Sequence, residues 1–112
     1  MVQRTYRVIV RGRFTGLQPA QREELLAAAE EHSMWNARFT EDGALTYEPD
    51  LGAFNVRVLV TEDGPDAATC DAAALETGTT AAELLLAEKG LSSTPLRASA
   101  TNVDDVHARL RR

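Results

Sequence analysis

An alternation of apolar and polar side chains over residues 5–14 is the clearest pattern in the chain. One face of this segment is formed by Tyr6, Val8, Val10 and Phe14. A period of two residues, rich in β-branched side chains, predicts a β-strand with one buried face. The same alternation returns over residues 54–62 and residues 96–103. The pattern therefore predicts a sheet with one apolar face and one polar face.

Two helical segments lie between these strands. The first is predicted from Pro19 to about Ser33, because proline at the first helical position has no N–H to leave unpaired. The second follows an Asp-Gly-Pro turn and extends to about Lys89, where Gly90 suits a C-terminal cap. Gly78 lies within this region, so it forms either one kinked helix or two consecutive helices.

Shorter segments complete the order of elements. Residues 44–48 form a further strand candidate after a Glu-Asp-Gly turn, whereas the pattern leaves open whether residues 34–39 form a strand of their own. The order strand, helix, strands, helix, strand is that of a ferredoxin-like, split βαβ sandwich. The predicted class is α+β: an antiparallel sheet of four or five strands with two main helices on one face. Residues 104–112, acids first and bases last, suit a short terminal helix.

The composition fits a single domain over residues 1–112, with 44% apolar residues. No apolar stretch approaches the roughly 20 residues that span a bilayer, and the N-terminus enters a strand pattern without a signal peptide. We therefore expect a cytoplasmic protein. Cys70 is the single cysteine, so we expect neither an internal disulfide nor a cysteine-based metal site. The two histidines lack a ligand spacing, and no metal or other cofactor is expected.

Arginines are concentrated on the polar face of the predicted sheet, although the net charge of the chain is −5. The ligand-binding candidates on this face are Arg7, Arg11, Arg57 and Arg97, and Arg13 lies further along the same row. Guanidinium groups brought together in this way suit bidentate binding of carboxylate or phosphate. Ile9 and Leu59 interrupt the polar pattern, and such a mixed face is typical of a homodimer seam or a ligand cavity. The alternative is a solvated face, with arginine stems covering the aliphatic residues.

The same charge distribution argues against other partners. A net negative charge disfavours general binding to nucleic acid or to an anionic membrane. RNA-binding sheets of this topology stack bases on aromatic residues of the open face. Here Tyr6, Phe14 and Phe54 all fall on the apolar face, and we expect no aromatic residue on the open face. We therefore expect a small anionic or carboxylate-bearing ligand and a second copy of the chain, and neither nucleic acid nor membrane.

Candidate chemical residues lie between the first helix and the second strand candidate. His32 is on the apolar stripe of the helix, where it either bonds a nearby carbonyl or acts as an acid–base group. Glu48 is the other acid–base candidate, because it can face the arginines from a neighbouring edge strand. Trp35 is either a core plug or, with His32 and Tyr47, a wall of a cavity for an organic ligand.

Two segments carry a resemblance to a known family. Residues 6–14, with Gly16 and Leu17 after them, resemble the start of a family of small bacterial proteins of unknown function. The Phe-Thr-Glu-Asp-Gly turn at 39–43 and the Leu-Thr-Tyr strand at 45–47 are similar to that family as well. The resemblance covers most of the chain and implies one self-contained domain without an assigned activity.

The predicted fold is also similar, at the level of architecture, to ferredoxin-like proteins that pair into dimeric α+β barrels. That resemblance implies either a cofactor-free enzyme or a regulatory ligand-binding module. Our leading hypothesis is a homodimer that binds an anionic organic ligand, with a cofactor-independent enzyme of cyclase, isomerase or oxygenase type as one option. The alternative is a non-catalytic interaction or regulatory module that uses the arginine-rich face.

Overall fold

The computed structural model describes residues 2–103. Within that range the elements are β1 (Val2–Thr15), α1 (Pro19–Ala27), β2 (Ala44–Tyr47), β3 (Ala53–Gly64), α2 (Ala67–Glu88), β4 (Ser92–Ser93) and β5 (Arg97–Asn102). The terminal helix expected at residues 104–112 lies outside the described residues. No helix of the described part has both the length and the apolar character needed to cross a membrane.

The strands form one antiparallel sheet in the order β2-β3-β1-β5, and β4 pairs with the last residues of β1. β1 is central because it pairs along its length with β3 on one side and with β5 on the other. Val8 is opposite Val58 and Ala100, so the apolar alternation of the three strands falls on one face. The predicted α+β class and the predicted faces of these strands are confirmed.

α2 covers the apolar face through a row of small residues at four-residue spacing. The buried members of this row are Cys70, Ala74, Gly78, Ala82 and Leu86. A Cβ atom at Gly78 would lie 2.5 Å from Cγ1 of Val8, so glycine lets the helix approach β1 closely. The region is therefore a single α-helix over Ala67–Glu88, and the alternative of two consecutive helices is excluded.

α1 is shorter than the sequence suggests, because it ends at Ala27 and turns replace the expected last helical residues. The carbonyl of His32 accepts a hydrogen bond from the backbone N–H of Tyr47 at 3.0 Å. This pairing with β2 draws the chain away from the helical path. Leu25 is the buried residue of α1, and its carbonyl accepts a hydrogen bond from the Tyr47 hydroxyl at 2.6 Å.

Residues 34–39 do not form the strand that the sequence left open. Met34–Asn36 is a single turn of 3-10 helix, and the backbone pairs with β3 just after the segment, through an isolated parallel bridge between Thr40 and Val58. The side-chain amide of Asn36 donates a hydrogen bond to the Glu30 carbonyl at 2.9 Å, which favours the turn over an extended path. The connection between α1 and β2 therefore runs beside the sheet as an irregular segment.

Candidate functional site

The sheet face opposite α2 carries five arginines, which we call the arginine face: Arg7, Arg11, Arg13, Arg57 and Arg97. Arg11 is directly opposite Arg97 of β5 and Asn55 of β3. Arg57 is opposite Ile9, so it is a diagonal neighbour of both Arg7 and Arg11. The structure thus brings the four predicted ligand-binding arginines together on adjacent strands. Arg57 is half-buried, whereas the other arginines of the face are exposed.

An aromatic ring lies on this face, contrary to the sequence-based expectation that it has none. The guanidinium carbon of Arg7 is 5.6 Å from the centroid of the Phe39 ring, and that of Arg57 is 5.5 Å from it. Both distances fall within cation–π range. Phe39 was missed because it comes from the irregular segment before β2, and a strand alternation identifies only residues within strands. It is half-buried between two cationic groups.

Two arginines of this face have neutral hydrogen-bond partners. Nη1 of Arg11 donates to Oγ of Ser99 at 3.2 Å, and Nε of Arg57 donates to Oδ1 of Asn55 at 3.3 Å. A half-buried guanidinium whose side-chain hydrogen-bond partner is a neutral amide, as at Arg57, favours an external anion. The arginine face is therefore an electropositive surface on a chain with a net charge of −5.

A cavity of about 260 Å³ lies at the Arg11 end of the face. Its walls include Arg11, Met34, Thr46, Glu48 and Asn55. Glu48 is exposed, and it lines this cavity together with Arg11, one of the predicted ligand-binding arginines. Thr46 is only 3% exposed, so this end of the face is partly covered. The arrangement puts a carboxylate and a guanidinium around one small space.

His32 lies apart from that cavity. Its Nδ1 is 3.0 Å from the carbonyl oxygen of Leu45, so this nitrogen carries a proton and donates it. The ring stacks on Tyr47 with centroids 5.3 Å apart. His32 lines two other cavities, of about 280 and about 390 Å³, which it shares with Lys89 near the end of α2. The structure therefore does not bring His32 and Glu48 into a common site.

Trp35 and Tyr47 have opposite environments. Trp35 is 96% exposed at the 3-10 turn, which excludes the core-plug interpretation of this side chain. Tyr47 is 2% exposed, and its ring meets Phe14 edge to face with centroids 5.8 Å apart. Burial, with a smaller contribution from the charge of Glu31, raises the pKa of the Tyr47 hydroxyl. Tyr47 is thus a core residue with a hydrogen-bonded hydroxyl, and Trp35 is a free surface ring.

A second cluster of polar side chains lies where β1 contacts the start of α2. Nη1 of Arg4 is 3.4 Å from Sγ of Cys70, so a basic side chain lies beside the thiol although no sequence neighbour supplies one. The hydroxyl of Tyr6 donates to a carboxylate oxygen of Asp71 at 2.6 Å. Burial, followed by this hydrogen bond, raises the pKa of Tyr6 to about 12. Among residues 2–103, no group of three or more His, Cys, Asp or Glu side chains could hold a metal ion.

Comparison with known proteins gives one match. Residues 1–112 match the model of a family described as "Family of unknown function (DUF6204)". No curated protein and no solved structure matches the chain. The family spans the whole sequence, and its description names no activity, ligand or partner.

Proposed function

This chain belongs to DUF6204, a family of unknown function, and from its own geometry we propose that it binds a small anionic organic molecule on the arginine face. The ligand carries a carboxylate or a phosphate group, because planar guanidinium groups bind these oxygens in a bidentate manner. The observation that carries the proposal is the grouping of Arg7 and Arg57 around Phe39, with Arg11 directly opposite Arg97.

The balance of charge supports an anion rather than a neutral ligand. Like charges directly opposite each other on neighbouring strands destabilise a sheet, and Arg11 and Arg97 form such a pair. An anion bound between them relieves that repulsion. Phe39 adds an apolar surface beside two of the guanidinium groups, which suits an organic part of the ligand.

The arrangement of strands supports a finer proposal about the assembly. The order β2-β3-β1-β5, antiparallel throughout, supports assignment to the ferredoxin-like, split βαβ type. In this proposal two ligand-bound copies pair through their arginine faces, and the ligands lie between the sheets. The ligand anions then neutralise the arginines that such a pairing brings together.

A cofactor-independent enzyme is the catalytic version of the same proposal. Glu48 is the acid–base group in this version, because it shares the cavity of about 260 Å³ with Arg11. The guanidinium of Arg11 would stabilise negative charge that develops on the ligand. His32 has no part in it, since its ring lies in other cavities and its Nδ1 is bonded to a carbonyl.

The ligand site is tested by the double variant Arg11→Ala and Arg57→Ala. Native mass spectrometry of the purified protein first supplies the mass of any ligand that copurifies, and titration calorimetry with citrate and with inorganic phosphate probes the site directly. We expect the double variant to bind at least tenfold more weakly, because each lost charged hydrogen bond is worth about 1.5–3 kcal/mol.

Arg22→Ala is the matched control, since Arg22 is exposed on α1 away from the arginine face. The control should bind as the wild type does, and circular dichroism should show that both variants are folded. Equal affinity in the double variant and the control would remove the site assignment. Failure of the wild type to bind either anion, together with a ligand-free mass spectrum, would overturn the proposed function.

The second candidate is an interaction or regulatory module without chemistry. It is favoured by Trp35 and Met34, which are 96% and 63% exposed on the same 3-10 turn. Neighbouring exposed aromatic and methionine side chains are typical of surfaces that bind another protein. In this candidate the partner also contacts the arginine face, which adjoins Met34 at Arg11, so it predicts salt-sensitive association without a bound small molecule.

A further inference from the structure

The two broad faces of the molecule carry opposite charge. The arginine face bears five guanidinium groups. Two carboxylates lie on the same side of the sheet, near strand ends: Glu48 and Asp63. α2 covers the opposite face of the sheet and contains no lysine, arginine or histidine. Its outward carboxylates, which we call the acidic helix face, are Glu76, Glu83 and Glu88, whereas Asp71 is turned towards β1, where it accepts a hydrogen bond from Tyr6 near Arg4. Because a sheet and one helical layer lie back to back, the two sets of charges point in opposite directions.

Each face also combines its charges with apolar surface. On the arginine face Ile9 and Leu59 are half-buried between the guanidinium groups. On the helix side Leu84 is 61% exposed. Leu84 lies in a groove of about 550 Å³ whose rim includes Glu41 and Glu88. The apolar surface on the arginine face is surrounded by positive charges, and that on the helix side is bordered by negative charges. Two such surfaces are complementary in both apolar character and charge.

We propose that ligand-free copies of the chain associate head to tail, with the arginine face of one copy on the acidic helix face of the next. A symmetric pairing of two arginine faces without a ligand would place guanidinium groups against guanidinium groups, which costs free energy. The head-to-tail contact instead pairs opposite charges. Since its two halves lie on opposite sides of the molecule, the contact does not close on itself and can propagate. It does not depend on a bound small molecule.

The association is weak and depends on salt. Exposed ion pairs contribute little individually, and the net charge of −5 opposes any approach of two copies at long range. At an ionic strength of about 0.05 M the screening length lies between roughly 10 and 30 Å, so the long-range repulsion is reduced while close pairs still attract. At about 0.5 M those pairs are largely screened as well.

Two charge-reversal variants separate the two faces. The sheet variant, Arg7→Glu with Arg97→Glu, neutralises the arginine face and gives Arg57 and Arg11 carboxylate neighbours, so it should stay folded. The helix variant, Glu76→Lys with Glu83→Lys, changes exposed positions of α2 to another good helix former. Arg22→Glu on α1 is the control for a change of net charge.

Sedimentation equilibrium at protein concentrations up to about 1 mM, which detects weak association, measures the average mass of each form. We expect the wild type and the Arg22→Glu control to exceed monomer mass at about 0.05 M ionic strength and to return to it at about 0.5 M. The sheet variant and the helix variant should each remain monomeric. Circular dichroism confirms that each variant is folded.

Mixing the two variants gives the decisive result. The sheet variant keeps its acidic helix face and the helix variant keeps its arginine face, so an equimolar mixture should form a one-to-one complex that grows no further. A helix variant that self-associates alone would show a symmetric contact and overturn the proposal. A wild type that stays monomeric at both salt concentrations would overturn it too. Neither outcome bears on the ligand site, which is tested by anion binding to the monomeric helix variant.

Discussion

Tyr6 shows how one buried side chain links the sheet to the helix and to pH. Its ring is 1% exposed in the core, while its hydroxyl reaches Asp71 in the first turns of α2. Burial, and then the bond to Asp71, raises its pKa to about 12, above the value of about 10 that an unfolded tyrosine has. The folded state therefore holds this proton more tightly than the unfolded state. The stabilisation is complete below about pH 10 and is lost as the pH rises towards 12.

Tyr6→Phe should remove this dependence. We expect the free energy of unfolding at pH 7 to fall by about 1 kcal/mol, because a hydrogen bond is lost while the exposed Asp71 regains water. The difference between wild type and variant should shrink as the pH rises from 10 to 12. Urea denaturation at pH 7, 10 and 11.5 measures both effects. A difference that is constant over this range would show that Tyr6 ionises normally in the folded protein.

Trp35, unlike Tyr6, is an aromatic residue that we expect to contribute almost nothing to the stability of the fold. Since it is 96% exposed, Trp35→Ala should change the free energy of unfolding by less than about 0.5 kcal/mol. Chemical denaturation followed by far-ultraviolet circular dichroism measures this, since the variant has no other tryptophan. Leu25→Ala is the comparison, as Leu25 is 8% exposed and its truncation should cost about 2–5 kcal/mol. A loss of stability in Trp35→Ala as large as in Leu25→Ala would show that Trp35 is packed.

At the level of elements, the position of α2 depends on its row of small residues. Gly78 weakens the helix by its own propensity, yet a Cβ there would meet Cγ1 of Val8 at 2.5 Å and its Cβ at 2.9 Å. Because these Val8 atoms lie next to the strand backbone, the contact cannot be relieved by rotation at the end of a flexible side chain. The close contact between the helix and β1 therefore outweighs the cost of glycine in the helix.

Gly78→Ala should destabilise the protein by about 1–3 kcal/mol, the usual cost of overpacking, although alanine is the better helix former. Thr80→Ala is the control, because Thr80 is exposed on the same helix and should be neutral or slightly stabilising. Val8→Ala in a double-mutant cycle with Gly78→Ala should recover part of the loss, since it removes the contacting methyl group. Equal stability of Gly78→Ala and Thr80→Ala would contradict the close-contact explanation.

The elements differ in how far the sequence specified them. The alternation over β1 and β3 determined which residues are buried, because a period of two assigns every side chain to a face. The continuity of α2 could not be read from Gly78, since only the opposing Val8 explains why glycine is there. The arginine face followed from alternation. Phe39 did not, because its position depends on a tertiary contact of an irregular segment with two strands.

For the whole molecule, the decisive property is that α2 covers only one face of the sheet. The face under α2 contains the apolar core, and the opposite face contains five arginines. The molecule therefore has a positively charged arginine face and, on its opposite side, a negatively charged acidic helix face. Small anions and a second copy compete for the same guanidinium groups, so we expect binding of an anionic ligand to dissolve the head-to-tail association. Average mass measured with and without citrate tests this coupling.

The central place of β1 also has a consequence for synthesis. β1 is made before its partners β3 and β5, which end at residues 64 and 102, so its second edge stays unpaired until β5 has emerged. A long apolar strand with a bare edge invites pairing with a strand of another nascent chain. Arg7, Arg11 and Arg13 lie on one face of β1 with Ile9 between the first two, and charges within a strand discourage such pairing. The arginines of β1 are thus expected to disfavour aggregation of the nascent chain, before the folded protein brings them together on one face.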